Sequence, residues 1–298
     1  MNVAVKEAEL KKQVSEAFYS VLYLQQKRAI LQQTDSIYNG FLEKANLRFA
    51  KGETNILEKA TAETQKGQIA IQLQQVQQDL EIALLQFQLM LNTAIMYVPA
   101  AEDSKVSYTA AIDSTAISRH PFILGLQQQK SIFETNTKLE RSKLLPNLNI
   151  GYSNMSIRGT GADNRAYTSS DRFQAVQVGV GIPLFFGSQK AKINSARTLE
   201  MIAENNYLAG LQSFKNEYAT AIKHYQMQQQ TVSYYEKTAL QNAALITQAA
   251  NQQFVNGEIN YLEWTMLINN ATSIKSSYID AINHLNQTIL QLNYLTTK

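Results

Sequence analysis

Phe49-Ala50-Lys51-Gly52-Glu53-Thr54-Asn55-Ile56-Leu57-Glu58 returns 205 residues later as Phe254-Val255-Asn256-Gly257-Glu258-Ile259-Asn260-Tyr261-Leu262-Glu263, with six of ten positions identical. The offset persists downstream: Ile69, Leu73, Val76, Leu80, Ala83, Phe87 and Met90 recur in register as Ile274, Tyr278, Ala281, Leu285, Thr288, Leu292 and Leu295. Their alternation of four- and three-residue steps is a heptad seam, the pattern of helices packed side by side along their length. A repeat that keeps both the break and the register predicts two copies of one helical hairpin. Each copy turns at a glycine that tolerates positive φ. The Glu just past each turn stands near a helix N-terminus, where negative charge is favoured.

Outward from the two tips, residues 3–50 read as helix, with Val14, Ala17, Phe18, Val21 and Leu24 at helical spacing. Lys51-Gly52 breaks this helix, and a second runs over about 54–95. His120-Pro121 starts a third that Leu144-Leu145-Pro146 ends, because the residue before proline is driven out of the helical region. A long helix then spans about 188–256, Gly257 breaks it, and a last helix reaches the C-terminus. The four prolines, at 99, 121, 146 and 183, all fall between the two hairpins, which excludes an ordinary βαβ or all-β domain. The expected organisation is a first-repeat hairpin over 1–97, a connector over 98–118, and a second repeat over 119–298. The fold class is mainly α: long antiparallel helical hairpins with one two-stranded β-hairpin.

That β-hairpin occupies about 147–184, where the period changes to two. Leu148, Ile150 and Tyr152 alternate with Asn147, Asn149, Gly151 and Ser153; Val176, Val178, Val180, Ile182 and Leu184 alternate with Ala175, Gln177, Gly179 and Gly181. One apolar and one polar or small face is the signature of strands. Every charge in this region lies in the intervening Arg158–Arg172 segment, which reads as a flexible exposed loop.

Composition narrows the function. The chain has 298 residues and no Cys, so a disulfide scaffold, thiolate metal sites and a Cys nucleophile are excluded. A net charge of +3 is too small and scattered for nucleic-acid binding. Charged residues make up only 17%, yet mean hydropathy is −0.26, because Gln and Asn replace charge. The uncharged window Ile82–Ala101 contains Gln86, Gln88, Asn92 and Pro99 and reads as a buried seam rather than a membrane span. The N-terminus lacks the apolar run of a secretory signal, which implies a cytosolic chain or one cut from a longer or processed protein. No Gly-x-Ser-x-Gly, P-loop or Gly-x-Gly-x-x-Gly before a helix is present, so neither catalysis nor a cofactor is expected. His120, His224 and His284 lie far apart in sequence and form no metal-ligand pattern. Met201, Met227 and Met266, tyrosines 207, 218, 225, 234 and 235, and Trp264 read as packing residues, and Glu200 and Glu204 as helix surface charges.

Taken together, several pieces resemble the TolC-type outer membrane efflux proteins. These are Arg48-Phe49-x-x-Gly52 and Gln253-Phe254-x-x-Gly257 at the tips, the His120-Pro121 helix start, Leu144-Leu145-Pro146 before a strand and Val180-Gly181-Ile182-Pro183-Leu184 after one. The strand region and last hairpin (Gly151-Tyr152-Ser153-Asn154, Arg172-Phe173-Gln174, Tyr261-Leu262-Glu263-Trp264) are most similar to members paired with heavy-metal resistance-nodulation-division (RND) pumps, the CusC/CzcC-like group. The resemblance implies a homotrimer whose strands share one outer membrane β-barrel and whose helices form a periplasmic tunnel. It also implies a periplasmic adaptor (membrane fusion protein) and an inner-membrane RND pump as partners, and heavy-metal cations as substrate. Leu148, Ile150, Tyr152, Val176, Val178, Val180 and Ile182 would face lipid. Gly52, Glu53, Gly257 and Glu258 would be the tips that meet the adaptor, and Glu58 and Glu263 would constrict the tunnel. A further acidic position of the family is Met266 here, which implies a less acidic constriction.

The resemblance also marks a departure. Relatives carry helix, two strands and helix twice, whereas this sequence begins at the helix after the first strand pair. Three copies supply about six strands against roughly twelve for the family's barrel, so a fragment, a truncated product or the tail of a pump fusion is expected. The rival reading is a soluble coiled-coil scaffold, which has no use for two charge-free alternating strands around a polar loop.

Overall fold

The computed structural model describes residues 2–52, 55–101, 103–108 and 116–297. Its elements follow the sequence periods closely: α1 (Asn2–Ala50), α2 (Ile56–Met90), a 3₁₀ turn (Ala116–Arg119), α3 (Pro121–Ser142), β1 (Asn147–Met155), β2 (Gly159–Thr160), β3 (Ala166–Tyr167), β4 (Phe173–Gly181), α4 (Gly187–Tyr234), a π-turn (Tyr235–Ala239), α5 (Leu240–Val255) and α6 (Tyr261–Leu295). They form two compact units, one of Met1–Phe122 with Gln212–Lys298 and one of Ile123–Leu211.

In the first unit α1 packs on both α2 and α6, and α6 packs on α5, so the helices run in the order α2, α1, α6, α5. Val21, Leu80 and Phe87 are buried where α1 meets α2. Val232, Ala281, Ile282, Leu285 and Ile289 are buried further along the second hairpin. Each of these side chains larger than alanine contributes about 1.5–3 kcal/mol by leaving water. Polar ties fix the register. Lys27 Nζ pairs with Asp280 at 2.9 Å, the Tyr23 hydroxyl donates to the same carboxylate at 2.8 Å, and Arg28 Nη1 donates to Gln77 at 3.2 Å.

The connector is held against α6 by Asn286, a buried polar residue inside the apolar seam. Its Oδ1 accepts from Val106 N–H at 2.9 Å and its Nδ2 donates to the Ser104 carbonyl at 2.6 Å. Beside it Lys105 Nζ bonds Glu236 at 2.8 Å on the π-turn, and Tyr278 donates to the same carboxylate at 2.9 Å. The Lys105 hydrogen bond holds the Glu236 carboxyl below its ordinary pKa. Burial, then the bond to Glu236, pushes the Tyr278 hydroxyl up to about 12.

In the second unit α3 and the first part of α4 are joined by Lys130–Glu204 at 2.9 Å and by Gln189 Nε2 donating to the Glu140 carbonyl at 2.8 Å. Glu204 is therefore an interhelical tie rather than a bare surface charge. β1 and β4 pair antiparallel from Asn147↔Gly181 to Met155↔Phe173.

Three boundaries and one loop depart from the sequence reading. α2 stops at Met90, short of residue 95, because Asn92 takes φ +48 and turns the chain. α3 stops at Ser142, and Leu144 and Leu145 form turn hydrogen bonds before Pro146. β4 stops at Gly181, since Pro183 has no N–H to offer a ladder. Within the loop, β2 and β3 pair Gly159↔Tyr167, and Tyr167 Oη and Thr168 N–H each bond an aspartate, Asp163 and Asp171, at 2.7 Å. The segment expected to be structureless thus carries its own small ladder.

Candidate functional site

Both tips are built by the same local chemistry. Gly52 and Gly257 each sit at φ +74, where an L side chain is strained and glycine is not. At the second tip the Gly257 N–H reaches the Phe254 carbonyl at 3.1 Å and the Glu258 N–H reaches Gln253 at 2.8 Å, the double closure of a Schellman motif. At the first, Gly52 N–H reaches Phe49 at 3.0 Å in the same way. The following helices are capped alike: Asn55 Oδ1 accepts from Glu58 N–H and Asn260 Oδ1 from Glu263 N–H, both at 3.0 Å.

Gly52, Gly257 and Glu258 are exposed at the turns. Glu53 lies outside the described residues. The two glutamates proposed for a constriction diverge. Glu58 pairs with Arg48 Nη1 at 3.1 Å across its own turn. Glu263 folds back so that Oε2 accepts the Asn260 N–H at 2.8 Å, completing a capping box. Both carboxylates thus serve their own hairpin, and Met266, three residues after Glu263, is exposed. Behind the tips lies an aromatic cluster that the sequence reading did not assemble. Phe41 stacks on Tyr261 and Trp264 at 4.3 and 4.5 Å between centroids. Trp264 donates Nε1–H to Asn251 at 2.9 Å, and Tyr38 donates its hydroxyl to Asn269 at 2.7 Å. Trp264 is a packing residue, and Phe41 and Tyr38 are found only once α1 is laid beside α6.

The register of the strands places the expected lipid-facing residues together. Leu148 opposes Val180, Ile150 opposes Val178, and Tyr152 opposes Val176, so all six share one face. Their exposure runs from 63% to 73%, a continuous apolar surface bare in the single chain. The opposite face carries Asn149↔Gly179 and Gly151↔Gln177. Ile182 is equally exposed but lies one residue beyond β4.

Among the other candidates, His120 is buried at the start of α3, where its Nδ1 accepts the Phe122 N–H at 3.2 Å and burial lowers its pKa. His224 and His284, distant in sequence, line one groove with Met227. Met201, Met227 and Met266 are all at least half exposed, which corrects their reading as core residues. Tyr218 is buried, Tyr225 packs on Tyr108 and Tyr235 on Tyr278, whereas Tyr234 is exposed. Among the described residues, no group of three His, Asp or Glu side chains is placed to hold a metal ion, and no helix is long and apolar enough to cross a membrane.

Residues 113–296 match the family model for outer membrane efflux proteins. The chain belongs to that family. Its members are outer membrane efflux channels, which places this chain at the outer membrane as a channel component and not an enzyme. The fold is that of solved relatives. A membrane protein from Pseudomonas aeruginosa superposes with a TM-score of 0.88 at 16% identity over 98% of this chain and 67% of its own. CusC does so with 0.85 at 17% identity over 98% and 69%. VceC from Vibrio cholerae gives 0.83 at 15% identity over 98% and 72%. The chain thus spans about two-thirds of the length of these structures. No curated protein matches by sequence.

Proposed function

We propose that this outer membrane efflux protein acts as a homotrimeric passive duct, taking substrate from an inner-membrane RND pump through a periplasmic adaptor. The observation that carries the reading is the charge-free β1–β4 pair. Its apolar residues meet face to face and stand bare to the outside, which fits a lipid-facing barrel wall. The tips at Gly52 and Gly257, with Glu53 and Glu258, are the proposed adaptor contacts; Glu58 and Glu263 are the proposed constriction. The division into a first repeat over 1–97, a connector and a second repeat over 119–298 belongs to the same proposal. Heavy-metal cations are the proposed cargo, supported by the likeness of the strand and tip motifs to the metal-exporting branch.

The test is expression of the gene in its native reading frame in a host stripped of its own efflux channels, together with an RND pump and a periplasmic adaptor. Membrane fractionation should recover the chain in the outer membrane, and metal tolerance should rise. A product found only in soluble fractions, with tolerance unchanged, sinks the duct. Raised tolerance to organic drugs alone removes the metal cargo and leaves the duct.

A further inference from the structure

We propose that the loop end of the β1–β4 hairpin is a contact for phosphorylated lipid headgroups, made by Arg158, Arg165 and Arg172. This deepens the lipid-facing reading of the strands and rests on it. The apolar face changes character along its length. Leu148↔Val180, Ile150↔Val178 and Tyr152↔Val176 are apolar, and the next pair on the same face is Asn154↔Gln174. Continued by one more step, the alternation brings that face to Arg172. Hydrocarbon, then amide, then guanidinium is the order of polarity met on leaving a bilayer core through its headgroups.

The loop gathers its arginines round one residue, Tyr167. Arg165 lies over the Tyr167 ring, 5.9 Å from its centroid. That ring meets Phe173, the chain neighbour of Arg172, at 5.1 Å between centroids. Tyr167 also pairs with Gly159, the chain neighbour of Arg158. All three arginines are exposed, and their charge is not consumed within the loop. Asp163 accepts from the Tyr167 hydroxyl at 2.7 Å and from the Arg165 N–H at 3.2 Å. Asp171 accepts from the Thr168 N–H at 2.7 Å and from its hydroxyl at 3.0 Å. Both acids are thus turned onto the loop's own amides and hydroxyls. Among the described residues, no carboxylate lies within 4.0 Å of any of the three guanidiniums. Guanidinium matches phosphate oxygens through paired N–H donors and is more weakly hydrated than an ammonium. A free anion would use these charges alone. Here they stand at the rim of a bare apolar band, and a molecule carrying both phosphate and acyl chains engages the two together.

The experiment is flotation of the purified full chain, exchanged out of neutral detergent, with two kinds of vesicle: phosphatidylcholine alone, and phosphatidylcholine doped with diphosphoryl lipid A. The chain should float with both through its apolar face, and more tightly with the doped vesicles. Arg158→Gln, Arg165→Gln and Arg172→Gln should each reduce that preference about fivefold. Added salt should shrink it, and the control pair Lys44→Gln with Lys223→Gln should leave it unchanged. All these side chains are exposed, so circular dichroism should report wild-type helicity. Flotation on plain phosphatidylcholine shows separately that each variant keeps its apolar face. Equal binding of the wild-type chain to the two vesicles overturns the headgroup contact and leaves the lipid-facing strands. So does an undiminished preference in the triple variant, or displacement by inorganic phosphate at matched phosphorus. Failure to float with either vesicle overturns the lipid-facing reading itself, and the headgroup contact with it.

Discussion

α2 and α6 are the same helix written twice, each 35 residues long and each started by an Asn cap, yet they live in different surroundings. α6 lies between α1 and α5 and buries fourteen residues; α2 packs on α1 and buries four. The outer faces have diverged to match. α2 exposes Ile71, Ile82, Leu85 and Leu89. The counterparts 205 positions on are Ser276, Gln287, Leu290 and Tyr294, two of them polar and Leu290 buried. A repeated seam therefore specifies a repeated helix, whereas position in the helix order decides how much of it a single chain covers. The apolar edge of α2 is the surface the proposed trimer would close with a second copy.

The contrast can be broken most readily at the core. Trp264→Ala should cost about 3–5 kcal/mol in denaturant unfolding, while Leu85→Ala on the isolated chain should stay within about 0.5 kcal/mol. Equal losses would mean that α2 is as enclosed as α6. Next comes the connector clamp. Asn286→Ala should cost about 1–3 kcal/mol because it orphans the Val106 N–H and Ser104 carbonyl, whereas its counterpart Glu81→Ala should be near neutral. At the tips, where the copies agree, Gly52→Ala and Gly257→Ala should each cost about 1 kcal/mol, and a large inequality in their melting temperatures would show that the turns are not equivalent.

Two smaller effects concern charge. Ile82→Glu with Leu89→Lys should leave the chain's own melting temperature nearly unchanged yet abolish its trimer in native mass spectrometry; a surviving trimer would remove α2 from the interface. Glu236 has its folded pKa depressed by Lys105, so its contribution is present above the ordinary Glu value of about 4.3 and is lost as pH falls through the lower folded value. Protection of the Val106 amide, corrected for its intrinsic exchange rate, should accordingly fall as pH drops below the ordinary Glu value, and Glu236→Gln should flatten that dependence.

Much of this was legible in the sequence for a physical reason. Gly-Glu-x-Asn at each tip specifies both a left-handed turn and the next cap, and alternation over 147–155 and 173–181 specifies faces before pairing is known. What stayed hidden depended on which helix lies beside which. Phe41 meeting Trp264, Asn286 reaching Ser104, and His224 sharing a groove with His284 are contacts between segments whose separation carries no periodic signal. Asn286 left no trace of its own either, since Asn286, Gln287 and Thr288 are all polar between Leu285 and Ile289 and only the fold shows that Asn286 is the buried one.

The π-turn at Tyr235–Ala239 accounts for a small arithmetic mismatch between the copies. Beyond it toward the tip, Ala243 and Ala250 stand 205 residues after Tyr38 and Ala45, all four buried. Before it, Tyr218, Ala221 and Tyr225 stand 204 residues after Val14, Ala17 and Val21. The second copy holds one residue more than the first, and an uninterrupted α-helix would carry that surplus forward as a rotation of about 100°. The wider turn absorbs it in a single loop of backbone, like a leap day in a calendar, so the inward face keeps its phase on both sides.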